Sequence, residues 1–385
     1  MSTDRISPIQ RHERPRPVPT RLAWCALAAM AVMVAATACV PKNPGPTGLY
    51  LGTQTSITPT VTPERDGIVW GAAPVIDPNY GRTLYRGTKF ETPDPRPAAT
   101  TAGDQPLRTW VAEPNNTVKK RPAILWFHGG GFAVGVGSSD DLARGEAAEY
   151  AKRGYVSFSF EYRIDTTLYG TTVPALGRPP SLCQWVQDNI DPEDAGWLAR
   201  YAKCVANIDA AREDALAAVR WVRAHAADYD IDPNKIAIGG FSAGAVLASL
   251  VAYAPEEVGT TTYFTGDDRS VDRSRVQAAF GASGCFYTET FEPPTQMGAG
   301  DAPIALIASR NDPIVPYTCV TDTIAAASDA GLVAELTSYC DSSAHSKAIY
   351  NPNKTATDAA WTNFLARELG LYTDMRPAIA TPFCT

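Results

Sequence analysis

The chain has 385 residues, of which 45% are hydrophobic and 19% charged, an ordinary globular composition. Its length suits one large α/β domain or two small ones. The formal net charge of −7 and the pI near 5.2 argue against nucleic acid as a partner.

Residues 1–38 have the pattern of a signal peptide for export. Five arginines lie before residue 22, and residues 22–38 form an uncharged run of 17 that is mostly alanine. That length is at the lower limit for a membrane span, so a transmembrane anchor is the alternative. The segment Ala36-Thr37-Ala38-Cys39 resembles a bacterial lipobox, which predicts a lipid anchor at Cys39 and a cell-surface lipoprotein. The same residues also fit ordinary cleavage and secretion.

Residues 39–65 are rich in Thr, Pro and Gly and predict an extended tether in front of a globular domain at 66–385. The domain opens with a predicted antiparallel pair, residues 83–93 with residues 107–114. Short apolar strands then alternate with helices. Strands are predicted at 123–131, 155–163, 235–240, 276–283, 303–309 and 333–339, and helices at 143–153, 211–229, 245–254, 318–330 and 357–369. This alternation predicts an α/β fold, a mainly parallel sheet with helices on both faces and a site at the carboxyl ends of its strands.

Residues 164–208 interrupt the alternation with Gly/Pro turns, aromatic residues and two cysteines. A connection this long predicts a cap over the site, with a disulfide-stapled surface loop as the alternative. Six cysteines remain after Cys25 and Cys39, and an even number in an exported chain predicts disulfides. The pairs that we expect are Cys183–Cys204, inside the insertion, and Cys319–Cys340, at the edge of the site.

The segment His128 to Phe132, "HGGGF", directly follows a predicted strand. Three consecutive glycines let backbone N–H groups converge on one point, as stabilisation of an oxyanion requires. The segment Gly240-Phe241-Ser242-Ala243-Gly244 lies between a predicted strand and a helix. Its glycines relieve crowding at a sharp turn that exposes the Ser242 hydroxyl.

A serine nucleophile needs a histidine base and an acid to orient it. His345 follows the last predicted strand, whereas His12 lies in the signal peptide, His128 in the glycine loop and His225 inside a helix. Asp312 follows the strand at 303–309, whereas Asp301 lies at the opposite end of that strand and Asp322 in the next helix. The order Ser242, Asp312, His345 is that of α/β-hydrolases.

Residues 120–370 resemble the α/β-hydrolase esterases of the hormone-sensitive-lipase-like and acetyl-esterase groups. The resemblance rests on "HGGGF", "EYR", "AAVRWVRAHAADYDIDPNKIAIGGFSAG", "SRNDPIVP" and "AHS". It implies an oxyanion hole formed by the N–H groups of Gly130, Gly131 and Ala243. Three positions depart from the usual pattern: Phe241 replaces an acidic residue, and Ala245 and Ser346 stand where glycine is common. Phe241 brings the chain nearer to the carbohydrate acetyl-esterase and feruloyl-esterase-like members.

These features together predict a carboxylesterase-type serine hydrolase that works through an acyl-enzyme, with a small-molecule ester as substrate and with no cofactor or metal. The aromatic residues of the insertion, among them Trp185, Trp197 and Tyr201, predict a narrow pocket for short acyl chains. A lipase or lysophospholipase is the alternative within the class. A non-catalytic binding protein and a proline-directed peptidase are the alternatives outside it.

Overall fold

A computed structural model describes most of the globular domain, all of it within one compact unit, Pro44–Thr385. The described residues are 59–61, 68–74, 104–114, 119–132, 141–164, 197–255, 262, 264, 266–286, 297–371 and 384. The predicted signal peptide, Cys39 and most of the tether lie outside them. So does residue range 165–196 of the predicted cap.

The described residues form a nine-stranded sheet with the order β1-β3-β5-β4-β6-β7-β8-β9, and β2 also pairs with β3. The strands are β1 Pro59–Val61, β2 Ile68–Pro74, β3 Asp104–Pro114, β4 Arg121–Phe127, β5 Val156–Phe160, β6 Ile231–Phe241, β7 Ala278–Ala282, β8 Ile304–Ser309 and β9 Ala334–Tyr339. From β5 to β9 all neighbours are parallel. The mainly parallel sheet predicted from the sequence is therefore confirmed.

Helices cover both faces of this sheet. They are α1 Asp141–Ala151, α2 Trp197–Ala224, α3 Ala243–Tyr253, α4 Val271–Ser274, α5 Tyr317–Asp329, α6 Lys347–Tyr350 and α7 Lys354–Glu368, with a 3₁₀ turn at Asn351–Asn353. Apolar residues of α2, α3 and α5 pack on one face, and those of α1, α6 and α7 pack on the other. Strands β4, β5, β7 and β8 are buried along their whole length, as expected of strands covered on both faces.

The N-terminal strands differ in detail from the expectation. Strand β1 falls inside the segment predicted as a tether and pairs antiparallel with the end of β3. Among the described residues, β3 pairs with β1, β2 and β5. The range 83–93, predicted as its partner, lies outside them.

Helix α2 begins much earlier than predicted, so residues 197–208 of the predicted insertion are its first turns. Cys204, Ile208, Ala211 and Ala215 are buried and recur three or four residues apart. That spacing puts them on one face of a helix, which packs on the sheet and continues into the predicted stretch from residue 211.

The predicted disulfide Cys319–Cys340 is wrong. Cys319 bonds to Cys285, and Cys340 bonds to Cys384, with Cα–Cα distances of 5.9 and 5.4 Å. The start of α5 lies over the loop after β7, whereas Cys340 ends the edge strand β9 and meets the C-terminal segment. Cys204 is buried and disulfide-bonded, while its predicted partner Cys183 lies outside the described residues.

Candidate active site

Ser242 occupies a sharp turn between β6 and α3. Its φ of 54° and ψ of −120° are strained for a residue with a side chain. The turn is fixed from both sides, because the Ser242 N–H donates to the carbonyl of Ala282 at 2.9 Å and its carbonyl accepts from Val246 at 3.0 Å. The hydroxyl makes no capping bond to the helix and is available to other partners.

The start of α3 lies directly against the end of β4. A Cβ at Gly240 would lie 2.6 Å from the Phe127 carbonyl oxygen, and one at Gly244 only 2.1 Å from the same atom. No larger residue fits at either position without a shift of the backbone. Glycine at both positions therefore permits the close approach that the sequence motif predicted.

His345 and Asp312 meet Ser242 at the carboxyl edge of the sheet. His345 Nε2 lies 2.8 Å from the Ser242 Oγ, and His345 Nδ1 lies 2.8 and 3.0 Å from the two carboxylate oxygens of Asp312. The partners define the proton positions: Nδ1–H donates to the carboxylate, which leaves Nε2 as the acceptor for the hydroxyl proton. The three residues predicted from the sequence are thus brought into one hydrogen-bonded chain.

Asp312 is buried in a turn that supplies its other hydrogen bonds. Its Oδ1 accepts the backbone N–H groups of Ile314 at 2.8 Å and Val315 at 3.1 Å. A carboxylate with several donors stays oriented, and here it presents its free lone pairs to the His345 ring.

The other candidates of each type lie elsewhere. His225 donates its Nδ1–H to the Trp221 carbonyl, 2.8 Å away, and stacks on the Trp221 ring as a packing residue. Asp301 pairs with Arg275 at the opposite end of β8, and Asp322 is exposed on α5. His128 stacks on Tyr162 below the glycine loop, with ring centroids 4.2 Å apart.

The glycine loop begins beside the nucleophile. A Cβ at Gly129 would lie 3.2 Å from the Ser242 Cβ. Gly130, Gly131 and Phe132 then have φ values of 112°, 60° and 62°. Glycine adopts these readily, whereas the left-handed backbone of Phe132 costs roughly 1–2 kcal/mol. Ala243 is the first residue of α3, so no carbonyl of its own helix can accept its N–H.

Sequence reasoning gave no role to several residues that support these loops. Tyr162 donates its hydroxyl proton to the carbonyls of His128 and Gly129, at 2.9 and 3.3 Å. The Asn207 side-chain amide donates to the Phe132 carbonyl at 2.6 Å. Tyr162 could have been singled out because it lies in the quoted "EYR" motif. Asn207 lies in the segment predicted as a cap and carries no local signal.

The loop that carries His345 is held by a third such residue, Ser283, at the end of β7. The Ser283 hydroxyl is buried and accepts the backbone N–H of Ser346 at 2.8 Å. Ser342 adds a second tie, because its hydroxyl lies 3.0 Å from the Ser309 hydroxyl and accepts the N–H of Ala344. A small polar residue at the carboxyl end of a strand was the only sequence signal for Ser283.

A buried polar cluster anchors the far end of the same loop. The Tyr350 hydroxyl, on α6, lies 2.6 Å from Asp358 and 2.7 Å from Glu146, and Lys354 contacts all three. Burial raises the pKa of Tyr350 and of Glu146. The nearby Lys354 ammonium lowers the pKa of Glu146, but the effect of burial is larger. The phenol is therefore neutral and donates, which ties α6 to α1 and α7.

The structure shows the surroundings of the three residues that depart from the pattern of the resembling family. Phe241 points away from the site into an aromatic cluster, where it stacks on Trp126 and meets Tyr350 edge-on. The Cβ of Ala245 occupies space that a side chain at Gly284 would need, since a Cβ there would be 2.4 Å away. Ser346 has a φ of 51°, a value that favours glycine.

No group of three or more His, Cys, Asp or Glu residues in the described ranges could hold a metal ion. Within those ranges no helix is long and apolar enough to cross a membrane. The chemistry that the described site offers is that of a nucleophile, a base and an acid.

Comparison with known proteins agrees with this geometry. Residues 200–286 match the protein family described as BD-FAE. Gut esterase 1 of Caenorhabditis briggsae is 27% identical over 184 residues, which are 46% of this chain and 27% of that protein. Phenmedipham hydrolase of Pseudarthrobacter oxydans is 28% identical over 171 residues, 42% of this chain and 27% of that protein. The chain thus spans about a quarter of the length of these relatives.

Among solved structures, esterase 2 of Thermogutta terrifontis phosphorylated by paraoxon superimposes with a TM-score of 0.51. The identity is 22%, and the match covers 71% of this chain and 92% of that one. The native form of the same esterase superimposes with a TM-score of 0.51 at 20% identity. That match covers 76% of this chain and 93% of the esterase. The chain has the α/β-hydrolase fold. The hydrogen-bonded Ser242, His345 and Asp312 lie at the carboxyl edge of the sheet in this fold.

The backbone at Ser346 yields a testable prediction. Replacing Ser346 with glycine should leave the position of His345 intact, because the N–H that Ser283 accepts remains. It should also raise the melting temperature, since relief of about 1–3 kcal/mol of strain exceeds the roughly 0.5–1 kcal/mol of backbone entropy that glycine costs. Thermal unfolding of the purified domain measures the difference.

The matched control is Ser346→Ala, which keeps the strained backbone and removes only a hydroxyl that makes no capping bond. The alanine variant should melt close to the wild type. A glycine variant that melts below the alanine variant would show that the backbone at 346 is unstrained.

Proposed function

We propose that the protein is a carboxylesterase-type serine hydrolase that cleaves small-molecule esters through an acyl-enzyme. The observation that carries the proposal is the chain of hydrogen bonds from Ser242 Oγ through the His345 ring to Asp312, with heavy-atom distances of 2.8 Å at both steps. The names of the relatives, which include esterases and a carboxylesterase, support ester hydrolysis as the reaction.

In the proposed reaction the Ser242 oxygen attacks the ester carbonyl carbon while His345 Nε2 accepts the hydroxyl proton. The carboxylate of Asp312 stabilises the imidazolium that forms. The same proton then passes to the departing alcohol oxygen as the ester C–O bond breaks, which leaves the acyl group on Ser242. Water, deprotonated by His345, attacks this acyl-enzyme and releases the acid.

The developing oxyanion lies next to three N–H groups in this proposal, those of Gly130, Gly131 and Ala243. Support comes from the glycine loop beside Ser242 and from the position of Ala243 as first residue of α3. The N-terminus of a helix carries a partial positive charge that favours an anion. Each such donor contributes on the order of 3 kcal/mol to the transition state of acyl transfer.

Substitution of the three residues tests the reaction. Ser242→Ala should lower kcat by about 10⁴-fold or more with the fold retained, because the variant lacks the hydroxyl that lies next to His345 Nε2. Asp312→Asn should also be severely impaired, since the imidazolium loses its stabilising charge. The measurement is the steady-state hydrolysis of a soluble aryl ester, with circular dichroism to confirm folding.

Asp301→Asn and Asp322→Asn are the matched controls, because neither carboxylate contacts His345. Both should keep near wild-type turnover. A severe loss of turnover in Asp322→Asn would contradict the proposed set of catalytic residues. So would a Ser242→Ala variant that keeps more than a tenth of the wild-type activity.

We further propose a preference for acyl chains of about two to six carbons. Support comes from the aromatic residues of the predicted cap, since rigid rings restrict an acyl arm. The ratio of butyrate to palmitate ester hydrolysis should exceed one, and the rate on palmitate should show no jump at its micellar concentration. A ratio below one, or a jump at that concentration, would instead favour the lipase alternative.

We also propose that Cys39 is lipidated and that the mature chain is held at the cell surface. The signal-like residues 1–38 and the lipobox-like segment before Cys39 support this. The native protein should partition with membranes, and Cys39→Ala should remain uncleaved or become soluble. Wild-type protein free in the medium with an unmodified N-terminus would favour simple secretion.

A further inference from the structure

We propose that Asn207 is a positioning residue that fixes the glycine loop for stabilisation of the oxyanion. This inference rests on the proposed function for its role in turnover. Asn207 lies on α2 and is fully buried. It reaches the loop by a single short hydrogen bond, from its Nδ2 to the Phe132 carbonyl at 2.6 Å.

Two side chains hold the loop by hydrogen bonds, one at its start and one at its end. At its start, Tyr162 binds the carbonyls of His128 and Gly129. At its end, Asn207 binds the carbonyl of Phe132. Only Gly130 and Gly131 lie between the two clamps. Their N–H groups are those proposed to receive the oxyanion.

The conformation of this short stretch needs such support. Gly130, Gly131 and Phe132 all have positive φ, and for Phe132 that backbone is unfavourable by itself. An unfavourable backbone persists only where its surroundings hold it. The Phe132 ring is buried against Tyr162, and the Asn207 amide fixes the carbonyl on the other side of the residue. Without that donor the Phe132 carbonyl loses its fixed position, and the end of the loop that presents the proposed N–H groups loosens.

The position of Asn207 on α2 connects the loop to the predicted cap. Cys204, which is buried and disulfide-bonded, lies one helical turn before Asn207. Both residues belong to the first turns of α2, inside the insertion at 164–208. The glycine loop is therefore held by the helix through which this insertion rejoins the domain.

The test replaces Asn207 with leucine, which has nearly the same shape and no donor. For the full-length protein with a soluble aryl ester, we expect kcat to fall by about 10- to 100-fold, the cost typical of a misplaced reacting group, with KM within about twofold. A trifluoromethyl ketone that mimics the tetrahedral intermediate should lose affinity in parallel. Hydrogen exchange of the amides at 128–132 should accelerate, while exchange in β4 stays unchanged.

Gln277→Leu is the matched control. Gln277 also binds one backbone group, the Ile236 N–H at 3.0 Å, but at the amino end of β7, away from the site. It should lose stability and keep kcat within about twofold. An equal loss of kcat in both variants, or unchanged kcat and loop exchange in Asn207→Leu, would overturn the role of Asn207.

If the leucine variant does not fold, Asn207→Asp is the second variant that tests the proposal. An ionised carboxylate repels the Phe132 carbonyl, whereas the protonated acid donates to it, and burial favours the protonated form. The ratio of variant to wild-type kcat should therefore rise as the pH falls, which a purely structural defect would not produce. A ratio that is independent of pH would overturn the proposal.

The outcomes separate this inference from the proposed function. If the wild type hydrolyses no ester and Ser242 resists organophosphate labelling, the proposed function fails. The hydrogen-exchange comparison does not depend on turnover, so it still decides whether Asn207 fixes the loop.

Discussion

The whole site depends on the contact between the start of α3 and the end of β4. The Phe127 carbonyl oxygen occupies the space in which side chains at Gly240 and Gly244 would lie. A Cβ added at Gly240 would be 2.6 Å from this oxygen, and one added at Gly244 would be 2.1 Å from it. Phe127 is also the residue from which the glycine loop departs. One backbone contact thus sets the position of the nucleophile relative to the loop beside it, and a larger residue at either glycine would separate the two.

Sequence alone was enough for the parallel strands of the sheet and for the positions of the three polar residues at its edge, because both depend on local patterns. β4 and β6 are short apolar runs that end in glycine motifs, so their carboxyl ends could be assigned. Parallel strands bring such ends to one edge, and this made Asp312 and His345 recognisable by their position after β8 and β9. The start of α2 was missed, although the spacing of Cys204, Ile208 and Ala211 carries the helical period.

The supporting residues and the disulfides could not be found in this way, because they depend on contacts between distant loops. Asn207 meets Phe132 across 75 positions, and Ser283 meets Ser346 across 63. No motif next to Asn207 or Ser283 in the sequence indicates its role. Cys319 was predicted to bond to Cys340, whereas the path of the loop after β7 brings Cys285 to it. Motifs identify the groups that face a substrate, whereas the groups behind them follow only from three-dimensional packing.

His345 is attached to an edge strand of the sheet. β9 is an edge strand with one fully buried residue, Leu336, and His345 lies just beyond it. Edges of this kind open at lower free energy than the centre of a sheet. Opening of β9 would therefore move His345 away from Ser242 while the strands from β4 to β8 stay packed. The bond from Cys340 to Cys384 joins the residue after β9 to the end of the chain and so opposes that opening.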